Sequence, residues 1–251
     1  MIYVCIPSYD ESPTIGLVLW KIRKVFEEFP REYQILVVDD GSTDQTEALL
    51  EPYTKVLPLT VIRHASRKGY ARSVEELLNL ALERTDRPKR DSAILMHADF
   101  AHGPQFLPDF IRRMESGADM VVGEATLEGE PSRGRRMLRR WAPMLLRRAV
   151  KVPGVTDTVS GFVAFRLMTL RNALKSAGAS TLASDGWAAN AELIGRAAQY
   201  ARRIESVKIV ERHDLRPRES RIDPWETARQ VWRAGGNIRI GPVRPVEENT
   251  S

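Results

Sequence analysis

The chain of 251 residues holds a single cysteine, Cys5. That excludes an internal disulfide framework and any zinc site built on several thiolates, and it fits a reducing compartment. No run approaches the eighteen or so consecutive apolar residues of a membrane span. The apolar start, Met1 to Pro7, lacks both the basic flank and the length of a secretion signal. The protein is therefore expected in the cytoplasm. Internal repeats are lacking, as is a linker that would split the chain into independent domains. What is present is ordinary for a globular protein, with 43% hydrophobic and 28% charged residues, so low-complexity, collagen-like and disordered classes are excluded. The 38 basic and 33 acidic residues leave a net charge of +5. So small an excess does not mark a nucleic-acid partner, and none is expected; where the arginines cluster matters more.

The first half alternates strand-like and helix-like segments. Ile2–Ile6 reads as a buried strand stopped by Pro7. Ser12-Pro13 reads as the cap and first residue of a helix to about Glu28, with Ile15, Leu19, Ile22 and Phe26 on one stripe. Strands follow at Ile35–Val38, Leu59–Ile62, Ala93–Met96 and Met120–Val122. Between them lie a helix capped by Ser42 or Thr43 and ending near Pro52, one from Tyr70 to Arg84, and one from Pro104 to Met114. This order predicts an α/β fold, with a parallel sheet covered by helices on both faces and ligands beyond the carboxyl ends of its strands. The second half is less regular. Glu124–Ser132 reads as a loop, Arg133–Val150 as a basic amphipathic segment interrupted by Pro143, and Val163–Phe165 as a strand. Helices at Leu167–Ser176 and Gly186–Tyr200 come next, then a strand at Val207–Val210, a basic loop at Arg212–Arg221 and a last helix from Pro224. Trp20, Trp225 and Trp232 read as core or interface aromatics, and the tail after Gly235 is expected to fray.

Polar and acidic residues recur where the strands end. Asp39 and Asp40 precede a Gly-containing turn, Gly41-Ser42, and can accept hydrogen bonds from a base or ribose; a plain strand-to-helix turn capped by Asp and Ser explains the segment equally well. His97-Ala98-Asp99 carries two potential ligands at i and i+2, on one side of an extended chain. A carboxylate there suits a hard divalent ion bridging a diphosphate, and a polar strand end is the simpler alternative. Arg63-His64 to Lys68-Gly69 runs basic residues into a helix start, which is either a phosphate site or a solvated basic turn.

Taken together, Pro7-Ser8-Tyr9-Asp10-Glu11, Val38-Asp39-Asp40-Gly41-Ser42-Thr43-Asp44, Lys68-Gly69 and the acidic strand end at Asp99 resemble family 2 glycosyltransferases, which have the Rossmann-like GT-A fold with a mostly parallel central sheet flanked by helices. Gly117–Gly123 resembles the strand leading to that family's Ser-Gly-Thr-Arg segment. Asp157-Thr158-Val159-Ser160-Gly161-Phe162 with Phe165-Arg166, Gly186-Trp187 with Glu192, and Glu219-Ser220-Arg221 resemble the dolichyl/polyprenyl-phosphate mannosyltransferase branch. The resemblance spans about residues 2 to 233.

It implies a nucleotide pocket lined by Pro7, Tyr9, Glu11, Asp39, Asp40, Lys68, Gly69 and Ala98, with Asp40 on the base or ribose. It further implies Mg²⁺ or Mn²⁺ on Asp99, and Arg216, Arg218 and Arg221 facing phosphates. The family's Asp-x-Asp is here His97-Ala98-Asp99, so the ion would be held more weakly or by His97 with Asp99. The branch's further polar position is Ala101, Glu124 stands where a basic residue is usual, and Arg218 where glycine is. Asp185 is the candidate general base should the acceptor be a hydroxyl, and Trp187 beside it falls on the acceptor side.

The expectation is an inverting glycosyltransferase that moves a sugar from a GDP-mannose-like or UDP-sugar donor to a polyprenyl phosphate or a small molecule. Its GT-A domain covers 1–235, with a donor half at 1–123 and an acceptor half at 124–235, followed by a tail at 236–251. The alternatives are a nucleotide-sugar-binding pseudo-transferase, motivated by His97 and Glu124, and a nucleotidyltransferase, for which the first loop lacks the required glycines and basic residue. The seven arginines of 133–148, interleaved with Met137, Leu138 and Trp141, are expected to touch the inner membrane face peripherally, or else to pack on the domain or against a second subunit in a homodimer.

Overall fold

The computed structural model describes residues 1–99, 103–128, 150–175 and 182–212, with isolated positions 137, 141, 146, 227, 229 and 233. The expected helix from Pro224, the basic loop 213–221, the tail and most of 133–149 lie outside the described residues. Within them, seven strands form one sheet in the order β3-β2-β1-β4-β6-β5-β7. These are β1 Ile2–Ser8, β2 Tyr33–Asp39, β3 Leu59–Arg63, β4 Ser92–Leu95, β5 Met120–Glu128, β6 Val163–Arg166 and β7 Ile204–Arg212. β1 pairs in parallel with β2 and β4, β2 with β3, and β5 with β7; only β6 is reversed, antiparallel to both β4 and β5.

The helices are α1 Ile15–Glu28, α2 Thr46–Thr54, α3 Tyr70–Arg84, α4 Leu107–Glu115 behind a 3₁₀ turn at Pro104–Phe106, α5 Leu167–Lys175 and α6 Gly186–Ala198. Alternation along β1 divides the core in two. Tyr3 and Cys5 pack with residues of α3, α5 and α6, whereas Ile2, Val4 and Ile6 pack with residues of α1, α2 and α4. The α1 stripe of Ile15, Leu19, Ile22 and Phe26, joined by Val18, is buried as its periodicity requires. Trp20, expected in a core or interface, is not in the core: it is 48% exposed on the outer side of α1. Burial pushes the Cys5 thiol up, so it packs as a small neutral hydrophobe.

Several boundaries differ from the sequence reading for identifiable reasons. β1 continues through Pro7 to Ser8. Even positions of β1 address β2 and odd ones β4, as Asp40 N–H to Ser8 C=O at 2.8 Å and Met96 N–H to Cys5 C=O at 3.0 Å show. Pro7 thus lacks its N–H on the β4 side, where pairing has already ended at Cys5–Leu95, and costs no ladder bond. α1 begins at Ile15 rather than Pro13, because Thr14 and Ile15 N–H both turn back to Glu11 C=O. α2 begins at Thr46, with Ser42 and Thr43 engaged elsewhere, and Pro52 sits inside it. Residues 124–128, expected as loop, extend β5 because β7 runs alongside to Glu128–Arg212.

Candidate active site

The four parallel strands β1 to β4 end at one edge, and the reversed β6 begins there. Ser8–Glu11, Asp39–Ser42, Arg63–Gly69, Met96–Asp99 and Ser160–Gly161 therefore meet by topology alone.

The first two loops are stitched to each other. Asp10 adopts a left-handed φ of 48°, a conformation that aspartate tolerates better than most residues. Its N–H donates to Ser42 Oγ at 2.8 Å, and its Oδ1 accepts from Thr43 N–H at 2.7 Å. Glu11, buried, donates its N–H to Thr46 Oγ1 at 2.9 Å and accepts from the Thr14 hydroxyl on Oε2, also at 2.9 Å.

The two adjacent aspartates have different fates. Asp40 is consumed by the protein. Its Oδ1 lies 2.7 Å from His64 Nδ1 and accepts from Lys68 N–H at 2.7 Å, while Oδ2 accepts from Gly69 N–H at 2.9 Å. Asp39 accepts Ser42 N–H on Oδ1 at 3.1 Å, but its buried Oδ2 has no hydrogen-bond partner among the described residues, with only the Arg63 guanidinium near, at 3.5 Å. Arg63 also pairs with Glu47. A buried carboxylate oxygen left unpaired costs about 1–3 kcal/mol, which a ligand N–H or O–H can recover. Close by, the Arg67 guanidinium stacks over the Tyr9 ring, 4.3 Å from its centroid.

On β4's side, Ala98 is buried, and His97 and Asp99 are partly exposed. The His97 ring stacks on Tyr70 with centroids 5.5 Å apart and lies directly on Gly161, where an added Cβ would stand 1.9 Å from Nε2. Only a glycine at 161 admits this ring position. The Tyr70 hydroxyl donates to Asn190 Oδ1 at 2.7 Å, and burial, with the Asp185 and Asp99 charges, holds it neutral by raising its pKa. Among the described residues no three His, Cys, Asp or Glu side chains cluster to hold a metal. His97 and Asp99 are two donors of the imidazole and carboxylate kinds. That set fits an ion whose remaining ligands are water and substrate phosphate.

Asp185, expected on the acceptor side, caps α6 and reaches α3, its Oδ1 accepting from Gly186 N–H and Ala71 N–H at 2.8 Å each. Trp187, expected to face an acceptor, is only 8% exposed and packs in the core with α3 and α5. Glu124, where a basic residue was expected, accepts Thr156 N–H at 2.9 Å, and Asp157 accepts from Ala125 N–H at 3.4 Å, so both tie the 156–162 segment to β5. Arg216, Arg218 and Arg221 lie outside the described residues. Sequence reasoning gave no role to Glu75 or Glu76 and read His64 only as part of a basic turn; a glutamate beside the apolar stripe of α3 was the available signal for the first.

The family model for glycosyl transferase family 2 matches residues 3–174. The chain belongs to this family. Its fold is GT-A. It is 28% identical over 209 residues to the undecaprenyl-phosphate mannosyltransferase of Micrococcus luteus, covering 81% of this chain and 80% of that one. It is also 28% identical over 168 residues to the dolichol-phosphate mannosyltransferase of Pyrococcus furiosus, covering 65% of this chain and 45% of that one. The chain thus spans less than half the length of the archaeal relative. The crystal structure of glucosyl-3-phosphoglycerate synthase from Mycobacterium tuberculosis in complex with Mn²⁺, uridine-diphosphate and glucosyl-3-phosphoglycerate superposes with a TM-score of 0.62 at 19% identity, covering 93% of this chain and 76% of that one.

Proposed function

We propose that this family 2 member is an inverting glycosyltransferase that takes a sugar from a nucleoside-diphosphate sugar and passes it to a polyprenyl phosphate. The observation that carries the donor reading is the buried Asp39 Oδ2 at the sheet edge, which accepts no hydrogen bond from the described residues and has only the Arg63 ion pair at 3.5 Å, so that it can accept a nucleoside N–H or hydroxyl. Pro7, Tyr9 and Glu11, with Arg67 stacked on Tyr9 and the Lys68-Gly69 turn behind, complete that pocket. Asp40, named from the sequence for the same task, makes three contacts to the protein, and Asp39 beside it is the one whose Oδ2 accepts no hydrogen bond from the described residues.

His97 and Asp99 would hold a divalent cation, Mg²⁺ or Mn²⁺, which when bound neutralises charge on the departing diphosphate. The acceptor oxygen forms a bond to the anomeric carbon from the face opposite the diphosphate. The bond from that carbon to the phosphate oxygen breaks, and the configuration inverts. An acceptor phosphate is already anionic and needs no base. Asp185, fixed at two helix starts, would take the proton of a hydroxyl acceptor instead, and Arg216, Arg218 and Arg221 are assigned to phosphate. The lipid acceptor is supported by the two prenyl-phosphate relatives, and by Met137 and Trp141, helical positions 54% and 48% exposed near fully buried Leu146.

A thermal-shift panel of UDP and GDP with Mn²⁺ or Mg²⁺ tests the donor site. At a hundredfold excess over Kd the cognate nucleotide is expected to raise Tm by roughly 5–10 °C. Transfer from the matching nucleotide sugar to undecaprenyl phosphate should follow. A protein that binds a nucleotide sugar but turns over none with any acceptor is a binding protein, not a transferase.

A further inference from the structure

We infer that His64 and Glu76 are positioning residues of the nucleotide pocket, acting through Asp40 to fix the turn that presents Arg67. The inference rests on the donor-site reading above. His64 is buried, with its side chain 1% exposed, while Arg63 and residues 65–68 around it are exposed to solvent. Its Nδ1 faces Asp40 Oδ1 and its Nε2 faces Glu76 Oε2, each at 2.7 Å. The ring thus bridges two carboxylates, in a chain that links α3 to the end of β2.

At the far end of that chain Asp40 grips the backbone N–H groups of Lys68 and Gly69. The same turn is pressed onto Gly41, whose φ is +70° and where a Cβ would stand 2.7 Å from Ser66 C and 2.8 Å from Arg67 N. The turn held from both sides carries Arg67, whose guanidinium lies over Tyr9, 4.3 Å from the ring centroid. Glu76 reaches this pocket only through His64 and Asp40. Its loss should therefore loosen the turn without removing any group that meets the ligand.

The test compares Glu76→Ala with Glu76→Gln in the full chain. Kd for the nucleoside diphosphate that the unaltered protein binds with Mn²⁺ is read by calorimetry, and donor KM and kcat by transfer assay. Hydrogen exchange at the amides of Lys68 and Gly69 is followed alongside. Glu76→Ala is expected to raise Kd and KM about tenfold, the scale of one charge-assisted hydrogen bond, to leave kcat near its original value, and to speed exchange at both amides. Glu76→Gln, whose amide oxygen still accepts from His64, should restore Kd to within about twofold. Unchanged Kd and KM in Glu76→Ala, or a fall in Tm with unaltered affinity, overturns the inference while leaving the donor site standing. An unaltered protein that binds neither UDP nor GDP overturns the donor reading, and this inference falls with it.

Discussion

Asp39 and Asp40 are neighbours of the same type, yet both oxygens of Asp40 face protein donors while Asp39 keeps one buried oxygen without a hydrogen bond among the described residues. Their adjacency at a strand end was readable in the sequence, and so was the class of chemistry. Which carboxylate is free was not, because the donors that occupy Asp40 lie 24 to 29 residues further on, in a turn whose path depends on Gly41. Asp39→Asn keeps the side chain's shape but turns an NH₂ toward the oxygen's former ligand. It is expected to weaken nucleotide binding roughly tenfold to hundredfold, on the scale of one or two lost charged hydrogen bonds, with Tm little changed. Asp99→Ala should abolish transfer while the protein stays folded. Calorimetry on the first variant and a transfer assay on the second check this pair, and full activity in Asp99→Ala would remove the metal assignment.

The elements were legible where a single stripe decides them. α3 runs from Tyr70 to Arg84 as its periodicity indicates, and α1 buries the expected face. Helix starts were misread because the capping residues serve other partners. Ser42 and Thr43 bond to Asp10 across the loops, and Thr46 takes the Glu11 N–H, so α2 waits until Thr46. No local rule registers a partner more than thirty residues away. α3 also links the two sides of the site. Glu76 points to the donor side, and the next residue back, buried Glu75, accepts Leu182 N–H at 2.6 Å, just before Glu192 receives Ala183 and Ser184 N–H. Glu75→Ala strips the partner from a backbone donor and is expected to cost about 1–3 kcal/mol, at about 2–4 °C of Tm per kcal/mol for a chain of this size. Nucleotide affinity should hold, in contrast to Glu76→Ala. A loss of affinity without a fall in Tm would show that Glu75 belongs to the donor side after all.

Across the whole molecule, no helix among the described residues is long and apolar enough to cross a membrane. In the sequence the arginines of 133–148 flank Met137 and Trp141, the half-exposed pair, and an anionic lipid surface is the proposed partner of that pair. Co-sedimentation with vesicles containing anionic lipid is expected to capture the protein, and Met137→Ser with Trp141→Ser to lower the partition constant about tenfold or more, as loss of two inserted apolar side chains requires. Equal capture of both would reject this face as the lipid-facing one. The parallel half of the sheet was readable from the β-α alternation, whereas the reversed β6, four residues long, carried no mark of its direction. That reversal has a consequence for how the protein is made. β6 fills the gap between β4 and β5 although it is synthesised after both. The ribosome adds about 5–20 residues per second, so the 38 residues from Glu128 to Arg166 take roughly 2–8 s. Throughout that interval β4 has an open edge toward solvent, and His97 has no Gly161 beneath it. The nascent chain therefore spends seconds with an unpaired strand available for mispairing, and the side of the site that carries His97 is assembled after the side that carries Asp39.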